Sequence, residues 1–263
     1  MITPEERQAN ILDLIKKKGS VNIVNLATLL NVSEMTIRRD LTDLEEQGLL
    51  RRVHGGAVSF YGRSYEPPLL ARSKKNIRAK QLIGKYAAGL IKDGDSVALD
   101  VGSTIMEVAM NLLGRNNLTV ITSSIHIANL LADERNIRVI VTGGVVRRGE
   151  RSLIGEFAHK VYQETFVDKL FLGTAGFDLI AGLTEFDMQD AHVKKEMIRS
   201  GKEVYVLADA SKFEAVAFSH FAEFSDLDHI ITNRKPAQAY LEKMMKYHVT
   251  VHIVTDDQVE KLM

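Results

Sequence analysis

The run from Ser20 to Gly56, SVNIVNLATLLNVSEMTIRRDLTDLEEQGLLRRVHGG, leaves the chain the least freedom. It reads as two short helices with a tight turn between them, followed by a hairpin. The first helix spans Asn22 to about Leu30 and gathers Leu26, Ala27 and Leu30 on one face. Asn31-Val32 makes the turn. Ser33 suits the N-cap of the second helix, because its hydroxyl accepts a free backbone N–H there. Ile37, Leu41 and Leu44 follow at the i, i+4, i+7 spacing of a buried stripe. The first turns also present Glu34, Thr36, Arg38 and Arg39. A helix that packs one face on a partner and offers Thr and Arg near its N-terminus fits the major groove of B-DNA. The plainer alternative is an ordinary helical hairpin with a charged outer face.

Two features favour the groove. Arg38-Arg39 stand beside Ser33 and Thr36, a mix suited to phosphates and base edges. Leu49 to Val53 and Ala57 to Phe60 flank His54-Gly55-Gly56, which is the pattern of a β-hairpin. Arg51, Arg52 and His54 place donors on that hairpin, as a wing beside a recognition helix. At these residues VSEMTIRRDLTDLEEQGLLRRVHGGA resembles the N-terminal signature of the DeoR family of bacterial repressors. The resemblance is nearly unbroken from Ser20 to Ala57. It implies a winged helix-turn-helix, mostly α with a β-hairpin wing, over residues 1–60.

A length of 263 residues suits two domains, one of them sizeable. With no Cys there is no disulfide, no Cys-based zinc site and no thiol nucleophile. The eight His show no metal-ligand spacing, so neither a metal nor a cofactor is expected. The opening MITPEERQAN is polar and helix-starting rather than a signal peptide. No apolar run approaches the roughly 20 residues that span a bilayer. A cytoplasmic protein with no membrane partner is the expectation.

The net charge of zero is unusual for a DNA binder, and its distribution helps only in part. Residues 1–60 balance 8 Lys/Arg against 8 Asp/Glu, residues 61–80 set 6 basic groups against Glu66 alone, and the remainder is acidic by five. Attraction to DNA must come from clustering on one face, with oligomerisation adding the rest.

Pro4 to Lys18 reads as a first helix with Ile11, Leu14 and Ile15 inward, stopped by Gly19. Lys16-Lys17-Lys18 fall in its last turn, where cations suit the helix dipole and either stay solvated or touch phosphates. Residues 61–76, YGRSYEPPLLARSKKN, lack periodicity and carry Pro67-Pro68, which reads as an interdomain linker. From Ile77 the chain alternates. Helices are expected at Ile77–Ile91, Ile105–Leu113, Ile125–Ala132, Glu156–Glu164, Ala191–Ser200 and Pro236–Met245. Strands are expected at Ser96–Asp100, Leu118–Thr122, Ile137–Thr142, Lys169–Gly173, Glu203–Ala208, Ile230–Ile231 and Thr250–Val254. Val/Ile/Leu-rich strands alternating with helices imply a C-terminal α/β domain over 77–263, its mostly parallel sheet covered on both faces.

Ligands of such sheets sit outside the carboxyl ends of the strands. There Asp100-Val101-Gly102-Ser103-Thr104 runs into a helix: glycine admits an anion close to the backbone, two hydroxyls add donors, and the helix N-terminus aims free N–H groups at the same point. Thr122-Ser123-Ser124 and Thr142-Gly143-Gly144 close two further strands. Each alone is a plain turn with an N-cap; three at equivalent ends suggest a phosphate site. Lys194 on a helix and Lys212 after Ala208-Asp209-Ala210-Ser211 are candidate cations, and Lys212 is the better placed. Asp100, Asp178 and Asp209 either bind sugar hydroxyls or cap turns.

DVGST, VTGG, GTAGFD with GLTEFD, and LADASKF extend the resemblance to the DeoR effector domain, which is similar in fold to ribose-5-phosphate isomerase and binds phosphorylated sugars. Carried over by position, it implies that Asp100, Gly102, Ser103 and Thr104 hold the phosphate. Ser123, Ser124, Gly143 and Gly144 then line the site, and Lys194 and Lys212 contact the effector. Ile105 stands where relatives often have a second Thr, so the cradle has one hydroxyl fewer. The isomerases carry an acidic loop where this chain reads Gly173-Thr174-Ala175-Gly176-Phe177-Asp178, leaving Asp178 as its acid. Aldose–ketose isomerisation needs a positioned base and acid, so no catalytic residue is expected. Walker A, GxGxxG and Ser/His/Asp patterns are absent from the sequence. The resemblance implies a repressor of a sugar-catabolism operon, bound as a dimer or tetramer to double-stranded operator DNA and released by a phosphorylated sugar. The alternatives are an isomerase-like enzyme fused to a DNA-binding domain, or an activator with the same domains.

Overall fold

In the computed structural model, which describes residues 2–47, 49–59 and 62–262, the chain divides into two units, Met1–Tyr65 and Glu66–Met263. In the first, helix α1 (Pro4–Lys18) starts on a reciprocal cap. The Glu6 N–H donates to the Thr3 hydroxyl, and the Thr3 N–H donates to the Glu6 carboxylate. Gly19, at φ 76°, ends it. Strand β1 (Ser20–Asn22) follows, then α2 (Ile23–Leu30), α3 (Glu34–Glu46), β2 (Leu50–Val53) and β3 (Gly56–Ser59). Asn22 is not the first helical residue of α2 but its N-cap, accepting from the N–H groups of Val24 and Asn25. β1, which the helical pattern hid, pairs antiparallel with β3 and gives the wing its third strand. The side chains of Lys16–Lys18, and Phe60 and Tyr61 entirely, lie outside the described residues.

Ile11, Ile15, Ile23, Leu26, Ile37, Leu41, Leu44, Leu50 and Ala57 form this unit's core, with Leu14, Ala27 and Leu30 packed partly buried against it. α3 also turns a carboxylate inward: Asp40, 3% exposed, takes the Arg7 guanidinium in two bonds of 2.5 and 2.9 Å. Removing one partner of a buried pair strands the other. Asp40→Ala is expected to cost about 3 kcal/mol, read as an earlier urea transition of the first unit. The double change Arg7→Met with Asp40→Leu should recover most of it.

The second unit comprises α4 (Leu69–Lys74), α5 (Ile77–Gly89), β4 (Ser96–Leu99), α6 (Ser103–Met110), β5 (Leu118–Thr122), α7 (Ile125–Leu131) and β6 (Ile137–Val141). It continues through β7 (Val145–Arg147), β8 (Ser152–Ile154), α8 (Glu156–Gln163), β9 (Val167–Gly173), β10 (Gly176–Asp178), β11 (Gly182–Glu185), α9 (Met188–Ser200) and β12 (Gly201–Leu207). It closes with β13 (Ser219–Ala222), β14 (His229–Thr232), α10 (Gln238–Lys246), β15 (Thr250–Val254) and β16 (Val259–Leu262). Eight strands make the main sheet in the order β16-β15-β14-β12-β9-β4-β5-β6, parallel except for β16. Alternate residues feed two cores: Val97, Leu99 and Phe171 join Ile83, Ile105 and Ile127, while Ala98, Leu170 and Leu172 join Met197, Phe177 and Phe224.

Three expectations need correction. Residues 61–76 are not simply a linker: α4 forms within them, and Arg72 and Glu66 make ion pairs inside the second unit. Charges read as solvated find buried partners instead. Pro236 does not open α10; Ala237 is the N-cap, and buried Pro236 precedes it. Hairpin β7–β8, the small antiparallel sheet β10-β11-β13 and edge strand β16 add elements to the expected set.

Candidate functional site

On the first unit, Ser33 caps α3 as its sequence suggests, accepting the Thr36 N–H at 3.1 Å. The two hydroxyls also bond each other at 2.9 Å, so Ser33 and Thr36 are engaged in shaping the helix start. Arg38 and Arg39 are exposed, off the buried Ile37–Leu41 stripe. Arg38 reaches Glu34 at 3.5 Å, with both side chains about half exposed, a pair worth little against a phosphate. Arg39 has no partner among the described residues. Arg52 points back from the wing: its Nη1–H donates to the Thr42 hydroxyl at 2.8 Å, and its backbone N–H to Glu45 at 2.7 Å. Arg51 and His54 are exposed on the wing.

On the second unit, a cleft opens at the carboxyl ends of β4, β9 and β12. β4 continues outward to β5 while β9 continues the other way to β12, so the cleft lies where strand order reverses, the usual ligand position of such sheets. Gly102 (φ 111°) starts α6 without a side-chain cap, leaving the first-turn N–H groups and the hydroxyls of Ser103 and Thr104 at the cleft wall. Lys212 lines the same cleft, half-buried, and its ammonium makes no hydrogen bond or ion pair among the described residues. Burial pulls its ammonium below the ordinary lysine value, against Asp209 and with Arg72 adding to the depression. An uncapped helix start beside an unpaired cation is an anion-binding geometry.

Lys194 also lines the cleft, but its three donors are spent: on Asp100 at 2.6 Å, the Gly173 carbonyl at 2.8 Å and Glu185 at 2.9 Å. Its pKa is raised, because the two carboxylates outweigh burial. Asp100 lies beneath the lining, where its carboxylate accepts the Gly173 N–H and braces β9 against β4. Burial pushes it up despite Lys194. Burial also pushes on Glu185, yet Lys194 holds it below the usual carboxylate range.

The other expected residues do not line the cleft. The β7–β8 hairpin covers the end of β5: Leu153 N–H donates to the Ser123 carbonyl at 2.7 Å, and Ser124 caps α7. Gly144 (φ 113°) admits the Ile154 carbonyl of that hairpin, which a Cβ would meet at 2.4 Å, and Gly143 (φ 74°) makes the turn before it. Asp178 caps the β10–β11 turn, accepting from the N–H groups of Ile180 and Ala181. Asp209 accepts from the Ser211 N–H and the Asn76 carboxamide. Of the two alternatives for these aspartates, capping and bracing is what the geometry gives. Ile105, in place of the second hydroxyl, is fully buried in the core.

Sequence reasoning missed a set of carboxylates and their cations. Glu66, Arg72, Glu150, Glu185 and Asp190 line the cleft. Arg147 binds Glu66 at 2.7 Å and Asp190 at 2.5 Å. Burial pushes Asp190 up to about 6, against the pull of Arg147. The isomerase-type loop has no room for an acid at Gly176, where a Cβ would lie 2.2 Å from the Ala215 carbonyl. Among the described residues no group of three or more His, Asp or Glu could hold a metal, and no helix is long and apolar enough to cross a membrane.

A winged helix-turn-helix carried with a cleft-bearing α/β unit defines a DNA-binding regulator with a sensor domain. The DeoR-like helix-turn-helix domain matches residues 7–61 and the DeoR C terminal sensor domain matches residues 75–234. The chain belongs to the DeoR family of transcriptional regulators, and it is a regulator rather than an enzyme. It is 39% identical over 234 residues to the uncharacterized HTH-type transcriptional regulator FruR of Bacillus subtilis (strain 168), covering 89% of this chain and 92% of that one. It is 35% identical to the HTH-type transcriptional repressor GlcR of the same strain, over 97% and 98% of the two chains. To the glycerol-3-phosphate regulon repressor of Escherichia coli (strain K12) it is 30% identical, over 94% and 98%. A ribose 5-phosphate isomerase A from Methanocaldococcus jannaschii is similar in fold over 53% of this chain and 55% of its own, at 21% identity and a TM-score of 0.40.

Proposed function

We propose that this regulator represses a sugar-catabolism operon, binding a palindromic operator through α3 and the wing as a dimer or tetramer in the cytoplasm. A phosphorylated sugar seats in the cleft and favours a state with weaker DNA affinity. By linkage, operator DNA weakens effector binding by the same factor. The observation that carries this reading is the pairing, on one cleft, of the uncapped α6 start at Gly102-Ser103-Thr104 with unpartnered Lys212. The surrounding carboxylates, Glu185 and Asp190 among them, are acceptors suited to sugar hydroxyls. The glycerol-3-phosphate regulon repressor, named for a phosphorylated three-carbon polyol, supports the same ligand class.

The test is fluorescence anisotropy of the full-length protein on DNA from upstream of its own operon, with a panel of sugar phosphates and the matching free sugars. Specific binding released by one phosphorylated sugar, and not by its free form, is the expected result. Binding that no compound releases would overturn the sensor half of the proposal, and absence of specific binding would overturn the whole.

A further inference from the structure

Glu150 is 2% exposed, lines the cleft from the turn between β7 and β8, and bonds the Arg72 guanidinium. Arg72 stands on α4. It also pairs with Glu66 at 2.9 Å and donates its Nε–H to the Pro67 carbonyl. The two carboxylates are not equivalent. Glu66 has a second cation in Arg147, at 2.7 Å, whereas among the described residues Arg72 is the ion-pair partner of Glu150. With Lys194 committed to Asp100 and Glu185, Arg72 and Lys212 are the cations with which a phosphate at the start of α6 can pair. It meets Glu150 there as a like charge on the same guanidinium.

Resting on the cleft being the effector site, we propose that Glu150 is an internal competitor of the effector's phosphate for Arg72. It holds Arg72 until an anion takes the guanidinium. Glu66 then keeps Arg147, while Glu150 loses its partner and its turn must rearrange. Arg72 also accepts, at its carbonyl, from Lys80 on α5, which ties α4 to α5.

The experiment is isothermal titration of the full-length protein with inorganic phosphate and glycerol 3-phosphate, in parallel with thermal melts. Glu150→Gln keeps the shape and removes the competing charge, so anion affinity should rise about ten-fold. Arg72→Gln should lower it about ten-fold. Glu150→Asp, which keeps the charge but shortens its reach, should give a smaller gain and serves if Glu150→Gln does not fold. A folded Glu150→Gln that binds no tighter than the parent, while Lys212→Met abolishes binding, overturns the competition and leaves the cleft an anion site. Failure of the parent, Glu150→Gln and Glu150→Asp to bind either anion overturns the cleft reading and the competition together.

Discussion

Lys194→Met is expected to destabilise the second unit by roughly 3–5 kcal/mol at neutral pH. The ammonium is 2% exposed and sits between the Asp100 and Glu185 carboxylates at 2.6 and 2.9 Å. Methionine fills much of the same volume but leaves two negative groups inside without a cation. Burial then raises both folded-state pKa values above their unfolded ones. A carboxyl raised in this way destabilises the fold progressively as pH climbs past its unfolded value, so the deficit should widen from about pH 4 upward and narrow in acid. Urea melts at pH 5 and pH 7.5 measure it. Adding Asp100→Asn should recover part of the loss. A variant within 1 kcal/mol of the parent at both pH values would mean that water reaches these carboxylates (about the scale of an exposed pair).

Arg39→Ala and Arg38→Ala should each weaken operator binding by about 1–3 kcal/mol and flatten the slope of log affinity against log salt by about one. Both guanidiniums are exposed beside the buried Ile37–Leu41 stripe, and the Arg38–Glu34 contact is long enough to yield to DNA. Ser33→Ala is the contrasting change. Its hydroxyl caps the helix and bonds Thr36, so it should cost about 1 kcal/mol of folding stability with little change in salt slope. An anisotropy series in KCl separates the two effects. If both arginine variants track the parent throughout, α3 does not enter the groove in this orientation.

What the sequence made legible was local. Ser33, the Ile37–Leu41–Leu44 stripe and the alternating strands each follow from spacings within one element, and the structure places them accordingly. β1 escaped because three residues against β3 leave no periodicity of their own. At the cleft, Gly102, Ser103, Thr104 and Lys212 could be collected because strand ends in a parallel sheet converge, while Lys194 reaches it from α9. Ser123, Ser124, Gly143 and Gly144 carry the same signal, yet the β7–β8 hairpin folds over them. Glycine is needed equally to admit a phosphate or a neighbouring carbonyl, and sequence does not distinguish the two. Arg72 and Glu150 are 78 residues apart, and nothing local marks two distant charges as a pair. For Arg72 alone, the surplus positive charge of residues 61–80 was the available hint.

That the cleft takes a wall from residues 66–72 also bears on how the two halves are exchanged between regulators. A chimera that fuses a foreign DNA-binding domain at Ile77, where the regular helix–strand alternation begins, discards Glu66 and Arg72 along with the domain it replaces. Its inducer response would then follow the donor's junction as much as the grafted sensor. A join placed before Glu66 carries the whole cleft lining across intact.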